Sequence, residues 1–328
     1  MRNSIRQSVA FFALGVSLSA SFLVGCGTSS DVTVMGDWRS RSELEGVARQ
    51  GASGFVIGTK AYIGTGLNFD RDRLTDFWEY DQTRNTWTQR ANFAGAGRYQ
   101  GVGFAIGNKG YIGTGLDVNS ARLKDFHSYD PATNAWTKIA DYAGTGRYGA
   151  VAFTLGNKGY VGTGNDGGNF VKDFYGYDPA TNTWGRIASY SGSKRVGGLA
   201  MVINNVAYVG FGNNNGAVQK DLWAYNPAND SWDEKKLFPD DLAIARSYGA
   251  SFVIGTKGYV GLGDGNASFY SYDPTTDTWA DMNVFEFTPR VFPVSFAIGN
   301  KGYVVSGSVG TGVLDDLREY DPSVPRVD

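Results

Sequence analysis

The sequence predicts an all-β fold: a six-bladed β-propeller in which each blade has four short antiparallel strands. A phrase that begins with an arginine and ends in Tyr-x-Gly-x-Gly, or a close variant, occurs six times at intervals near fifty residues. A fixed period of this length is typical of repeat architectures. Short apolar segments alternate with turn residues, and no long helical periodicity follows the N-terminus. The last copy also lacks a segment that the N-terminus supplies, which indicates a closed ring.

The spacing within the repeated phrase is constant. The six arginines are Arg49, Arg98, Arg147, Arg195, Arg246 and Arg290. Thirteen residues after each comes a tyrosine: Tyr62, Tyr111, Tyr160, Tyr208, Tyr259 and Tyr303. Seventeen residues after each comes a glycine: Gly66, Gly115, Gly164, Gly212, Gly263 and Gly307.

Each unit divides into four predicted strands, as the second copy illustrates. The first strand covers residues 101–106 and is apolar, and a Gly-Asn-Lys-Gly turn leads to the second strand at 111–115. The third strand covers 125–129, and an Asp-Pro-Ala-Thr-Asn turn leads to a fourth strand around Trp136. The alternation of apolar segments with these turns predicts an antiparallel sheet for each unit.

The sixth unit is split between the two ends of the chain. A tryptophan follows the third-strand tyrosine by seven residues in five units, but none follows Tyr320 in the sixth. Trp38 lies eleven residues before Arg49, which is the usual spacing between a fourth strand and the next arginine. The strand around Trp38 is therefore predicted to complete the last blade. A solenoid is the alternative, but this split unit favours a ring, because closure removes exposed strand edges.

The pattern resembles the kelch repeat family, whose propellers include the galactose-oxidase-like domains. The residues that carry the resemblance are the blade tyrosine, the glycines after it, the Tyr-Asp-Pro-x-Thr-Asn-x-Trp segment and the opening arginine, over residues 37–328. The chain departs from the family's double glycine, with Gly-Thr-Gly in its place in the first three copies and Val305-Ser306-Gly307 in the last. The copper site of the oxidases needs two histidines and a cysteine-linked tyrosine, so that chemistry is not expected here.

Composition narrows the possible functions. His127 is the one histidine and Cys26 the one cysteine, which excludes an intramolecular disulfide and most zinc sites. No cofactor, metal site or catalytic residue is therefore predicted. The formal charge is −2, or −4 without the first 25 residues, so the basic stripe expected of a nucleic-acid-binding protein is absent.

The N-terminus is predicted to be an export signal. Arg2 and Arg6 precede an apolar stretch over residues 9–24, and the sequence Leu-Val-Gly before Cys26 resembles the lipobox of bacterial lipoproteins. That resemblance implies cleavage before Cys26, a lipid on its sulfur and anchoring in the cell envelope. The glycine after the cysteine favours the outer membrane. The alternative is that Cys26 ends an ordinary signal peptide.

These features give three predicted segments. Residues 1–25 are a signal peptide, residues 26–35 are the lipidated cysteine and a tether, and residues 36–328 are the propeller. The protein is expected to be a monomer whose contact with the membrane is the lipid on Cys26.

One face of the ring is predicted to vary among the blades. The counts from the second-strand glycine to the third-strand tyrosine are 14, 14, 13, 13, 9 and 13, and the tryptophan-to-arginine link is 11 residues except for 14 between Trp232 and Arg246. In an antiparallel blade these loops share one face, which we call the variable face. The turns of the opposite face are nearly constant. Because loops tolerate change and carry function, a binding site is expected on the variable face.

The six arginines open the innermost strands on this face and are predicted to surround the channel mouth. Two interpretations remain open for them. They pair with the carboxylates that begin the third strands, or some of them bind an anionic ligand. Those carboxylates belong to Asp76, Asp125, Asp173, Asp221 and Asp316. In blade 5, Ser268 replaces the aspartate, so we expect Arg246 to be the least neutralised arginine and a ligand to lie beside it.

Aromatic side chains on the variable face are candidates for stacking against a ligand. Near the arginines these are Tyr99, Tyr148, Tyr248 and Phe292, the last of which is expected to narrow the channel. Others are Phe69, Phe170 and Phe238. His127 is interpreted as ordinary blade surface, and the carboxylate pairs Asp70/Asp72, Asp240/Asp241 and Asp315/Asp316 as solvated surface.

Two functional classes fit these predictions. The first is a cell-envelope binding protein that recognises a glycan or a protein partner on the variable face. The second is an enzyme that resembles the kelch-type sialic-acid epimerases, in which arginines at the channel mouth would hold the sugar carboxylate. No local motif identifies the base that such an enzyme needs, so binding is the preferred prediction.

Overall fold

The computed structural model describes residues 36–238, 246–282 and 284–325, and the predicted signal peptide, Cys26 and tether lie outside these residues. Six four-stranded antiparallel sheets form the blades of a six-bladed β-propeller, which confirms the predicted fold class. The described residues contain no helix, so none of them forms a helix that could cross a membrane.

The first three blades follow the chain in simple order, after β1 (Asp37–Arg41). Blade 1 contains β2 (Ser53–Ile57), β3 (Lys60–Gly64), β4 (Phe77–Asp81) and β5 (Thr86–Arg90). Blade 2 contains β6 (Val102–Ile106), β7 (Lys109–Gly113), β8 (Phe126–Asp130) and β9 (Ala135–Ile139). Blade 3 contains β10 (Val151–Leu155), β11 (Lys158–Gly162), β12 (Phe174–Asp178) and β13 (Thr183–Ile187).

Two of the remaining blades carry a small hairpin in the loop after their second strand. Blade 4 contains β14 (Leu199–Ile203), β15 (Val206–Gly210), the hairpin β16 (Asn213–Asn214) and β17 (Ala217–Val218), β18 (Leu222–Asn226) and β19 (Ser231–Lys235). Blade 5 contains β20 (Ala250–Ile254), β21 (Lys257–Gly261), β22 (Phe269–Asp273) and β23 (Thr278–Asp281). Blade 6 contains β24 (Val294–Ile298), β25 (Lys301–Val305), the hairpin β26 (Ser308–Val309) and β27 (Gly312–Val313), and β28 (Leu317–Asp321).

The N-terminal strand closes the ring as predicted. β1 pairs with β28 as the outermost strand of blade 6, and Trp38 lies opposite Tyr320. The Trp38 ring packs 5.2 Å from the Tyr320 ring and 4.8 Å from the Phe285 ring, measured between centroids. Closure therefore joins the two ends of the chain through both backbone pairing and aromatic packing.

The core lies between neighbouring blades and is largely aromatic. The side chain of Phe55 stacks on Tyr62 at 5.4 Å between centroids, and the same buried cluster includes Ile112 and Tyr129 of blade 2. Gly110 permits this packing, because a Cβ at that position would overlap the Phe55 ring.

The repeated turn motif also links the blades. In blade 2, the Asn134 side-chain oxygen accepts a hydrogen bond from the Tyr129 hydroxyl (2.8 Å) and another from the backbone N–H of Ala91 in the link from blade 1 (2.9 Å). Trp136 donates its indole N–H to the carbonyl of Ala91 (3.0 Å). Equivalent contacts recur in blades 1, 3, 4 and 5, so this repeated turn fixes each of blades 1 to 5 to the blade before it.

Candidate functional site

The six opening arginines have buried side chains, each at most 1 % exposed. Nη1 of each donates to the carbonyl of the residue sixteen positions on, which has a left-handed backbone. In five blades the guanidinium also pairs with the third-strand aspartate. The pairs are Arg49–Asp76, Arg98–Asp125, Arg147–Asp173, Arg195–Asp221 and Arg290–Asp316. The interpretation that the arginines pair with carboxylates thus matches the contacts in five blades, and none of these six guanidinium groups is exposed to a ligand at the channel mouth.

The pairing favours the ionised form of Asp76, Asp125 and Asp316. Burial alone would raise the pKa of Asp125, but the hydrogen bond and charge of Arg98 outweigh it, so this pKa lies below its usual value. The pKa values of Asp76 and Asp316 are lowered in the same way by Arg49 and Arg290.

Arg246 differs from the other five, as the sequence predicted. Its Nη1 donates to the carbonyls of Leu262 (3.0 Å) and Ser268 (2.9 Å), and its Nη2 donates to the Ser268 hydroxyl (2.6 Å). It pairs with no described carboxylate, and its Nε has no hydrogen-bond partner among the described residues. Burial lowers the Arg246 pKa to about 10. The aromatic rings of Phe238 and Tyr270 cover the guanidinium, so a ligand beside it stays a prediction.

A closed ring of backbone hydrogen bonds surrounds the channel mouth. It consists of the residues two positions after the arginines, which we call the axial belt: Gly51, Gln100, Gly149, Gly197, Tyr248 and Phe292. The N–H of each donates to the carbonyl of the member in the preceding blade, and Gly51 donates to Phe292, at 2.8–3.0 Å throughout. The belt links all six blades at the axis.

All six belt residues have a positive φ, between 54° and 65°. Glycine adopts this conformation without steric cost, and three blades use it. Gln100, Tyr248 and Phe292 adopt it at a cost of about 1–2 kcal/mol each. Strain of this kind persists where the surroundings enforce it and is concentrated at functional sites.

The three non-glycine belt side chains surround a cavity of about 150 Å³ at the axis, which we call the mouth pocket. The Tyr248 and Phe292 rings lie 4.3 Å apart between centroids, and Tyr99 lies 6.1 Å from Phe292. Below the pocket, a channel of about 240 Å³ is lined by small residues of the innermost strands. Among the described residues, no charged side chain lines the mouth pocket.

Gln100 provides a polar group without a partner in this pocket. Its Nε2 donates to the Tyr99 hydroxyl, but its Oε1 is buried and accepts no hydrogen bond from any residue that the structure describes. The residue is 8 % exposed, so Oε1 has lost most contact with solvent. A buried acceptor without a donor costs about 1–3 kcal/mol, which a donor on a ligand or an ordered water would relieve.

The tyrosines at the mouth stay protonated. Burial raises the pKa of Tyr248, and the neighbouring hydroxyls of Tyr148 and Tyr99 raise it further. Burial also raises the pKa of Tyr99. These hydroxyls are therefore hydrogen-bond donors and acceptors at neutral pH, and poor bases.

Other predicted residues lie elsewhere. Phe69 is 67 % exposed in the β3–β4 loop, Phe170 is half-buried in the β11–β12 loop, and Phe238 is buried over Arg246. The interpretation of His127 as blade surface is wrong: it is buried, its Nδ1 lies 3.5 Å from Asp125, and burial lowers its pKa. No group of three potential metal ligands occurs within residues 36–238, 246–282 and 284–325.

Sequence reasoning missed Gln100 and the belt. The available signal was the position two after each arginine, where three units have glycine and three have large side chains. The sequence shows that Phe292 departs from the glycine found in three other units. It does not show the belt, because the belt is formed by backbone groups.

Comparison with known proteins supports the fold alone. No family model and no curated protein matches the chain. A solved structure titled "Structure of YjhT" superposes with a TM-score of 0.73 at 18 % identity, over 84 % of this chain and 95 % of that one. Likeness at this identity concerns the architecture and carries no statement about ligands.

Proposed function

We propose that the protein is a carbohydrate-binding propeller that holds an uncharged sugar unit in the mouth pocket. The observation that carries this proposal is the unpartnered Oε1 of Gln100, a residue that lines the mouth pocket together with Tyr248 and Phe292. Sugar hydroxyls donate to such an acceptor, and the apolar face of a pyranose packs on an aromatic ring. The absence of charged side chains from the described lining favours a neutral unit.

The epimerase alternative finds less support. It requires arginines that reach the sugar carboxylate, and the six arginines are buried within the blades. It also requires a base, and the raised pKa values of Tyr99 and Tyr248 disfavour the tyrosines in that role. We expect no acceleration of N-acetylneuraminate anomer exchange in NMR spectra. Rapid exchange at catalytic protein concentrations would overturn the binding proposal in favour of the enzyme.

A glycan array followed by calorimetry on the full-length protein tests the binding proposal. We expect Tyr248→Gly and Phe292→Gly to weaken binding of the best neutral glycan by about tenfold, which corresponds to 1.4 kcal/mol. Both variants are well matched to the fold, because blades 1, 3 and 4 carry glycine at the same belt position.

Phe69→Ala is the control, since it removes an exposed aromatic ring from the same face outside the mouth pocket. The proposal fails if the two belt variants bind as wild type does, or if Phe69→Ala loses as much affinity as they do.

A protein partner is the second candidate, and one observation favours it. Within the described residues, every exposed large apolar side chain lies in a loop or link of the variable face: Val47, Phe69, Val118, Leu237, Val284 and Val309. Exposed apolar groups confined to one face are typical of a docking surface. If the array shows no glycan binding, a protein partner becomes the proposed ligand.

We also propose that Cys26 anchors the protein in the bacterial cell envelope, with the outer membrane as its site. The support is the lipobox-like sequence before Cys26. Palmitate labelling in cells should be lost in Cys26→Ser, and the variant should leave the membrane fraction. Retention of label or of membrane association in that variant would contradict the anchor.

A further inference from the structure

A second groove on the variable face lies between blades 3 and 4 and has a volume of about 660 Å³. Phe170 and Lys172 come from the β11–β12 loop, Arg186 from β13, and Ser189 and Lys194 from the link to blade 4. We call these five residues and the space they enclose the basic groove. It is separate from the mouth pocket, with which it shares no lining residue.

The three cations of the basic groove are exposed and unneutralised. Lys172, Arg186 and Lys194 form no ion pair with any described carboxylate. Asp173 also lines the groove, but both of its oxygens already bind Arg147, at 2.7 and 3.0 Å. Three like charges around one opening repel each other, and an anionic ligand would relieve that repulsion.

Comparison among the six blade junctions shows that the fold does not require these charges. The residues equivalent to Lys172 are Thr75, Lys124, Lys220, Ala267 and Asp315. Those equivalent to Arg186 are Gln89, Lys138, Glu234, Asp281 and Ser40. Those equivalent to Lys194 are Ala48, Gly97, Gly146, Ala245 and Pro289. The junction of blades 3 and 4 alone is basic at all three positions, in a chain whose net charge is negative.

The neutral groups of the groove match a saccharide. The half-buried ring of Phe170 offers a face for a pyranose ring, and Ser189 adds a hydroxyl-bearing side chain to the same lining. Asn214 also lines the groove, and its buried Oδ1 has no hydrogen-bond donor among the described residues. A ligand hydroxyl supplies that donor.

We propose that the basic groove binds a polyanionic oligosaccharide whose sugar units carry sulfate or carboxylate groups. The anionic groups lie against Lys172, Arg186 and Lys194, and the sugar ring and hydroxyls occupy the space between Phe170 and Asn214. This site is independent of the neutral-sugar site proposed at the channel mouth.

Calorimetry on the full-length protein with dextran sulfate oligosaccharides and size-matched neutral dextran tests the proposal. The variant Lys172→Gln/Arg186→Gln/Lys194→Gly should bind dextran sulfate about tenfold more weakly than wild type, and the wild-type affinity should fall as salt screens the charges. The control Lys109→Gln/Lys158→Gln/Lys257→Gln removes the same charge from turns of the opposite face and should bind as wild type does.

Two further arms separate the possible sources of binding. A polyuronate of matched length distinguishes a carboxylate-bearing sugar from a sulfated one, and binding of either supports the proposal. Polyglutamate that binds more tightly than both would overturn it in favour of an acidic peptide, and equal binding of neutral dextran would also overturn it. Tyr248→Gly should leave dextran sulfate binding unchanged, so failure of the mouth-pocket proposal would be recognised separately.

Discussion

At the scale of single residues, the opening arginine shows how the fold holds a buried cation. The Arg195 guanidinium binds both oxygens of Asp221 at 2.6 Å and donates to the Phe211 carbonyl at 2.7 Å. Its guanidinium carbon also lies 4.6 Å from the centroid of the Tyr190 ring. Hydrogen bonds, a counter-charge and a π face thus replace the water that burial removes.

Removing one partner of such a pair should destabilise the protein strongly. We expect Asp221→Asn to lower the free energy of unfolding by about 3 kcal/mol, because the Arg195 charge then stays buried without a carboxylate. Urea denaturation at neutral pH measures the change. Asp233→Asn removes an exposed carboxylate from the same blade and should change stability by less than about 0.5 kcal/mol. An equal loss in both variants would contradict the structural role of the pair.

Blade 5 offers the reverse experiment. Arg246 holds its proton less tightly when folded than when unfolded, so its buried charge lowers stability throughout the neutral range. Ser268→Asp supplies the missing carboxylate, and we expect it to raise the free energy of unfolding by about 1 kcal/mol at pH 7. The aspartate pKa would be depressed, so the gain should disappear as the pH falls below about 4. A loss of stability at pH 7 in this variant would show that Arg246 needs no counter-charge.

These residues also show what sequence reasoning can recover. The Arg195–Asp221 pair follows from constant spacing, because a repeated structure places equivalent residues in equivalent positions. Gln100 could not be found in this way. Its role depends on a backbone belt that brings six distant segments together, and on an acceptor left without a partner. Neither property leaves a pattern along the chain.

At the scale of strands, the closing pair β1 and β28 surrounds a buried acid with cations, an arrangement that blade 1 also has around Glu79. Glu319 on β28 is buried, accepts a hydrogen bond from the Tyr303 hydroxyl at 2.7 Å, and lies within 3.2 Å of Arg41 and Lys301. Arg39 of β1 also binds it. Burial alone would raise the Glu319 pKa, but these donors and cations outweigh it, so the pKa is lowered. The seam between the two chain ends is therefore held partly by ionised groups.

This seam should weaken in acid. Because the folded pKa of Glu319 lies below its ordinary value of 4.5, its contribution is complete above that pH and is lost as the pH falls through the folded value. We expect Glu319→Gln to lower the free energy of unfolding by about 3 kcal/mol at pH 7 and to reduce its decline below pH 4.5. Denaturation curves between pH 7 and pH 3 measure both effects. Glu43→Gln, an exposed acid beside β1, is the control, and a wild-type pH profile for Glu319→Gln would contradict the prediction.

The strand order itself was predictable, since the orphan segment around Trp38 had the spacing of a fourth strand. The charged groups between β1 and β28 were not predictable. The residues equivalent to Glu319 are Ser128, Gly176, Ala224 and Ser271 in blades 2 to 5 and Glu79 in blade 1, so the repeat does not call for an acid at this position. The cationic neighbours of the two acids differ in origin, because β1 places Arg39 and Arg41 beside Glu319, whereas Glu79 lies beside Lys60 and Arg90 of its own blade.

At the scale of the whole molecule, the ring is closed twice. At its outer edge, β1 pairs with β28, and at the axis, the belt hydrogen bond from Gly51 to Phe292 joins blade 1 to blade 6. The belt is continuous, so its six bonds share one geometry around the channel. Opening at the outer edge lets blades 1 and 6 separate, which removes the constraint that holds the other belt bonds in place.

We therefore expect the belt to respond to loss of closure as one unit. Trp38→Ala removes the buried ring that fastens β1 and should cost about 3–5 kcal/mol. Hydrogen exchange should then accelerate by similar factors at all six belt amides, because local opening energies follow cooperative units. Trp136→Ala removes the same side chain from β9, a fourth strand that follows directly after the third strand of its own blade. It should accelerate exchange at the belt amides less. If Trp38→Ala accelerates exchange only at the Gly51 amide, the blades open independently of one another. The belt then does not couple them.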